Sequence, residues 1–131
     1  MAGFSDYLED KVLNHVFGGT AYTAPSTLYV ALYTAAPSDT GGGTEVSGGS
    51  YARKSMPDMT VSGTSPTTAT NGAAVEFVTA TGSWGTVSHV GVFDALTSGN
   101  LLGWAALTAS KTVSSGDVFR FDAGDLDITL A

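Results

Sequence analysis

Asp117, Asp122, Asp125 and Asp127 crowd the turns near the C-terminus, and carboxylate oxygens grouped near a glycine turn are what a hard cation such as calcium selects. They lack the EF-hand spacing and its terminal bidentate Glu, and Asp is common in turns through its own backbone hydrogen bonds. The expectation is therefore turn aspartates and no metal. His15 and His89 are the only histidines, and nothing in the neighbouring sequence pairs either with a carboxylate or a second ligand. A serine nucleophile beside His89 and Asp94 would need a context such as the Gly-x-Ser-x-Gly elbow, which is absent. With no cysteine there is no thiol nucleophile, thiolate zinc site or disulfide. These residues predict no catalytic group, no cofactor and no enzyme. Gly41–Gly43 and Gly48–Gly49 resemble a phosphate cradle only in composition. A P-loop needs its Lys, its Ser or Thr and a helix directly after, whereas here Tyr51-Ala-Arg-Lys continues as a strand.

The residues that remain suit binding rather than chemistry. Arg53 and Lys54 are two of only five basic residues and stand side by side, so strand alternation sends one to each face, toward a partner carboxylate or a neighbouring subunit. Tyr51, Met56 and Met59 are apolar positions on the same segment, where Pro57 deletes a ladder donor and marks an edge or a bulge. Trp84, between Gly82-Ser83 and Gly85 at a strand entrance, either caps the sandwich end or anchors an interface. Tyr51, Arg53, Lys54, Met56, Met59 and Trp84 are thus the candidate interface residues.

Composition bounds the partners. The chain of 131 residues is 43% hydrophobic but only 13% charged, about half the usual share of charge. Five Lys and Arg against twelve Asp and Glu give a net charge of -7, which leaves no electrostatic means of holding phosphates and excludes free nucleic acid as a partner. The longest apolar runs, 28–33 and 101–107, fall far short of the roughly 20 residues of a membrane span. The reading is a soluble chain with no membrane partner and no visible secretion signal.

Such surfaces need a scaffold, and the hydrophobic period indicates which. Residues 5–17 place Leu8, Val12, Leu13 and Val16 at helical spacing behind Ser5 as N-cap, and Gly18-Gly19 stop the helix. From there the period is that of strands. Residues 27–34 alternate with both faces apolar, which predicts a central strand, and 51–61, 73–79, 86–94, 101–107, 118–122 and 126–130 follow with turn signals between them. Residues 38–50 and 62–72, rich in Gly, Ser and Thr, read as flexible loops. The predicted fold is mainly β, an antiparallel β-sandwich or jelly roll with one short N-terminal helix. It forms a single domain over 1–131 with the sandwich from about 25 onward.

HVFGGTAYTAPSTLYVALYT (15–34), GTEVSGGSYARKS (43–55), WGTVSHVGVFDALTSGNLL (84–102) and LTASKTVSSGDVFRFDAGDLDITL (107–130) together resemble a family of small tailed-bacteriophage virion proteins commonly labelled phage tail fibre proteins. The resemblance spans nearly the whole chain except 56–72. It implies a non-enzymatic structural protein of the virion, made in the host cytoplasm, whose partners are the major capsid protein or tail proteins. A tail fibre usually needs a shaft or a trimeric coiled coil, and the chain has neither heptads nor shaft repeats. The expectation is therefore a capsid decoration (cement) protein ahead of a tail fibre or other tail component, with a carbohydrate-binding sandwich a distant third. A homo-oligomer is expected, most simply a trimer joined through 51–61 and the glycine-rich loop before it.

Overall fold

The computed structural model describes residues 3–64 and 66–130. A short strand β1 (Gly3–Phe4) leads into helix α1 (Asp6–Val16). Ser5 is extended, with φ -73° and ψ 159°, and its Oγ accepts the Leu8 N–H at 3.2 Å, so it caps the helix as its sequence position predicts. The same buried residue anchors the helix to the sheet: its hydroxyl donates to the Leu101 carbonyl and its N–H to the Leu102 carbonyl. At the other end the Phe17 N–H closes on the Leu13 carbonyl and the Thr20 N–H on the Asn14 carbonyl. Gly19 then turns the chain with φ +72°.

The main sheet is antiparallel throughout. Its central pair is β2 (Leu28–Ala35) and β8 (Gly85–Phe93), followed by β9 (Leu101–Val113) and then β1 on β9's far side. Two short strands share β2's other edge: β3 (Thr44–Glu45) pairs near Tyr33 and Ala35, and β4 (Lys54–Met56) pairs with Leu28 to Val30. The apolar character of both faces of β2 is used in full. Val30 and Leu32 point into the main core, while Ala31 and Tyr33 join Phe93 and Leu101 in a second cluster on the outer face.

The opposing layer is built from small sheets. One pairs β7 (Val75–Glu76) with β10 (Arg120–Phe121), and the other orders β11 (Asp127–Leu130), β6 (Thr67–Thr70) and β5 (Thr60–Ser62). Val75, Phe77, Phe119, Phe121 and Leu126 meet Val30, Leu32, Val87, Val90 and Val92 of the main sheet in one core. Among the described residues the fold is thus mainly β with one helix, in a sandwich-like arrangement. No helix among the described residues is long and apolar enough to cross a membrane.

Asn71 locks the end of β6 to the 122–126 turn. Its Nδ2 donates to the Ala73 and Asp122 carbonyls at 2.9 and 3.0 Å, and its Oδ1 accepts the Gly124 and Leu126 N–H groups at 3.1 and 2.8 Å. Every hydrogen-bonding position of that buried amide is filled.

Several segments depart from the pattern expected of them. Residues 38–50 are an organised segment: Ser38 and Gly41 exchange backbone hydrogen bonds, Val46 is buried, and the Val46 N–H reaches the Leu32 carbonyl. A lone buried Val and a run of left-handed glycines suffice because the neighbouring strands supply the partners. Within 62–72, β6 appears without any apolar alternation, since Thr67–Thr70 pair on both sides with strands. The 51–61 strand divides into β4 and β5 around Pro57-Asp58-Met59, as a missing ladder donor requires. β9 runs on to Val113, past the expected end at Leu107, because β8 pairs with it at Gly85 to Val87.

Candidate functional site

The hub of the molecule's polar chemistry is Arg53, just before β4. Its Nε and Nη2 grip the Glu45 carboxylate on β3 at 2.9 Å each, and its Nη1 donates to the Ala95 and Ser98 carbonyls at 3.0 and 2.8 Å. The guanidinium lies over the Phe93 ring, 3.6 Å from its centre. Tyr51 completes the arrangement: its hydroxyl donates to Glu45 at 2.8 Å and accepts the Leu32 N–H at 3.0 Å. Burial works against the Arg53 charge, but the hydrogen bonds and charge of Glu45 outweigh it and hold its pKa above the usual arginine value. Burial, aided by the Glu45 charge, pushes the Tyr33 phenol up to about 12. Tyr51 is raised further, again chiefly by burial.

The candidate interface residues separate on this geometry. Arg53 finds its carboxylate within its own chain, so the reading that sends it to a neighbour is corrected: the β3 strand hidden in the glycine-rich segment supplies Glu45. Tyr51 belongs to the same network, and Met56 is 3% exposed in the core. Trp84 is 4% exposed, stands edge-on to Tyr51 and Phe77, and donates its Nε1–H to the Gly49 carbonyl at 2.9 Å. It is a core residue that pins the glycine-rich segment. Lys54 is exposed on β4, on the opposite side from Arg53 as alternation predicts. Met59 is half-buried at the floor of a groove described below.

None of the residues weighed for catalysis assembles. The His89 Nδ1 is 2.8 Å from the Ser88 hydroxyl, but Asp94 is occupied capping the 94–100 turn through the N–H and side-chain amide of Asn100. The His15 Nδ1 accepts the Tyr22 N–H. The C-terminal aspartates work singly: Asp117 accepts from the Ser114 N–H, Asp122 from Arg120, Asp125 from the Asp122 N–H and Asp127 from the Thr70 hydroxyl. Among the described residues no group of three or more His, Asp or Glu is placed to hold a metal.

Two further surface features stand apart from these residues. In β9, residues 107–110 bulge between Ala106, opposite His89, and Lys111, opposite Val87. The bulge and β11 wall an open groove of about 580 Å³, with Met59, Val90, Phe119 and Leu126 among its lining. The second feature is on α1, where Leu13, Val16 and Phe17 are 58%, 61% and 81% exposed. The groove was hidden because a bulge leaves no mark in a stretch of Thr, Ala and Ser. The helix stripe was visible in the sequence as helical spacing.

No curated protein matches the chain. Residues 3–129, nearly the whole of it, match the family described as podophage GP4 fiber I protein gp80, and the chain belongs to that family of phage structural proteins.

Proposed function

We infer that the protein is a non-enzymatic structural subunit of a tailed-phage virion, contributing a compact module to a fibre. The observation that carries this is the family match over residues 3–129. A second reading, capsid decoration, is favoured by the architecture: a sandwich-like body with one helix of 11 residues offers neither shaft repeats nor a coiled coil. Either role asks for a rigid body that grips other virion proteins, the tail proteins in one case and the major capsid protein in the other. Exposed Lys54 is the candidate basic contact for that partner.

Copy number and position in purified virions test this reading. A small number of copies at the tail supports the fibre role, hundreds of copies over the head support decoration, and absence from virions defeats both. Charge reversal by Lys54→Glu is expected to weaken attachment to virions without altering the melting temperature. Reversal at Arg53 would instead unmake the fold.

A further inference from the structure

We propose that residues 3–22 are an arm held by a latch at Ser5, which lifts from the main sheet as one unit while the rest of the fold stays closed. Its hinge is 23–27, and its opening bares the β9 edge from Leu101 to Trp104.

The arm is fastened at one end only. Gly3 and Phe4 pair with Trp104 and Gly103. The Ser5 hydroxyl and N–H bond to the Leu101 and Leu102 carbonyls, and the Asp6 N–H reaches the Asp39 carbonyl at 2.9 Å. Tyr7 and Leu8 are the helix side chains packed on the core. Beyond them the bonds turn inward. The Phe17, Gly18 and Thr20 N–H groups go to the Leu13 and Asn14 carbonyls, and the Tyr22 N–H goes to the His15 Nδ1. The Tyr22 ring meets Tyr7 edge-on, with centres 6.5 Å apart, so the chain after the helix travels with it.

Little burial holds this unit down. No residue of α1 is buried, and Ser5 is the only buried residue from Gly3 to Tyr29. Among the described residues none of 23–27 takes part in a hydrogen bond, so the hinge moves without breaking one. Regions with few buried apolar groups open below the free energy of global unfolding. A free helix of 11 residues is marginal in water, so releasing the latch melts α1 with it. The seat on β9 is shaped for this arm: a Cβ on Gly103 would stand 2.8 Å from the Gly3 carbonyl oxygen, while the nearest atom outside the arm, the Ile128 Cδ1, lies at 3.9 Å.

Native-state hydrogen exchange of the full chain in low urea tests the proposal. The amides of Ser5 and Asp6 bond across to the body, and those of Lys11 to Leu13 bond within the arm. All are expected to share one opening, with a smaller urea dependence than the opening that exposes β2 and β8. Ser5→Ala removes the latch hydroxyl and the helix cap together and should speed exchange of this set at least about 10-fold. Gly103→Ala leaves the cap in place and should act alike, by about 10-fold, through its clash with Gly3. In both variants β2 and β8 remain the slower set. Arm amides that exchange only together with β2 and β8, a helix that exchanges while Ser5 and Asp6 stay protected, or a Gly103→Ala chain whose arm is as protected as the parent's would each overturn the proposal.

Discussion

Arg53 shows how much one side chain can fix. Its guanidinium ties β3, the approach to β4 and the 94–100 turn together while lying on Phe93. Its side chain is 9% exposed and that of Glu45 25%, so removing either partner strands a largely buried charge. Arg53→Ala is expected to destabilise the fold by about 3–5 kcal/mol, and Arg53→Lys to recover little, since an ammonium cannot reproduce the planar fork. Urea unfolding of both variants measures this. The tyrosines beside this pair give a pH signature. Tyr33 keeps its proton in the fold up to about pH 12, against an ordinary value of 10.0, so above pH 10 the unfolded chain loses protons that the folded chain retains. The stability from this residue is fully present below pH 10 and is lost between pH 10 and 12. Melting temperature should fall across that interval, with the tyrosinate absorbance of Tyr33 appearing only as the protein unfolds. Tyr33→Phe should flatten the fall.

At the scale of elements, the structure follows the sequence wherever burial enforced a pattern. Ser5 capping, the glycine stop of α1, the two-faced β2 and the β8–β9 hairpin are all written in apolar periods and turn residues. The misread elements carry small or hydroxylated side chains, whose pairing is decided by neighbours distant in sequence: β6 by β11, β3 by β2, and the far half of β9 by β8. For the same reason the Arg53 site was half legible. The cation and its need for a carboxylate were evident, but not that Glu45, eight residues earlier, would supply it. Asn71 belongs to this class too, a buried residue in a stretch that reads as loop. Asn71→Asp would set a carboxylate oxygen against the Ala73 and Asp122 carbonyls, which now accept from the amide. A loss of at least about 2 kcal/mol is expected on thermal or urea unfolding, whereas a loss below about 0.5 kcal/mol would show that the clamp contributes no more than an ordinary surface residue.

For the whole molecule, sparse and uneven charge is the governing fact. Of the five basic residues, Arg53 is committed to Glu45 and Arg120 to Glu76 and Asp122, which leaves an acidic body. Any contact between copies works against long-range repulsion, which salt screens without weakening an apolar contact. Any self-association through apolar surface is expected to strengthen as sodium chloride is raised from low to physiological concentration, measured by sedimentation. A contact built on ion pairs would show the opposite trend.

The Asn71 clamp also bears on how the protein ages. Asn71 is followed by Gly72, a pairing in which the unhindered glycine nitrogen readily attacks the asparagine amide carbon, expelling ammonia to leave a cyclic imide that water opens to aspartate or isoaspartate. That attack requires the side chain to swing toward the next peptide nitrogen, which an amide held by four hydrogen bonds cannot do. Chemical damage at this position is confined to molecules that have opened, and its product is a chain that folds less well. In stored particles, the acid form of Asn71 would therefore serve as a cumulative record of unfolding.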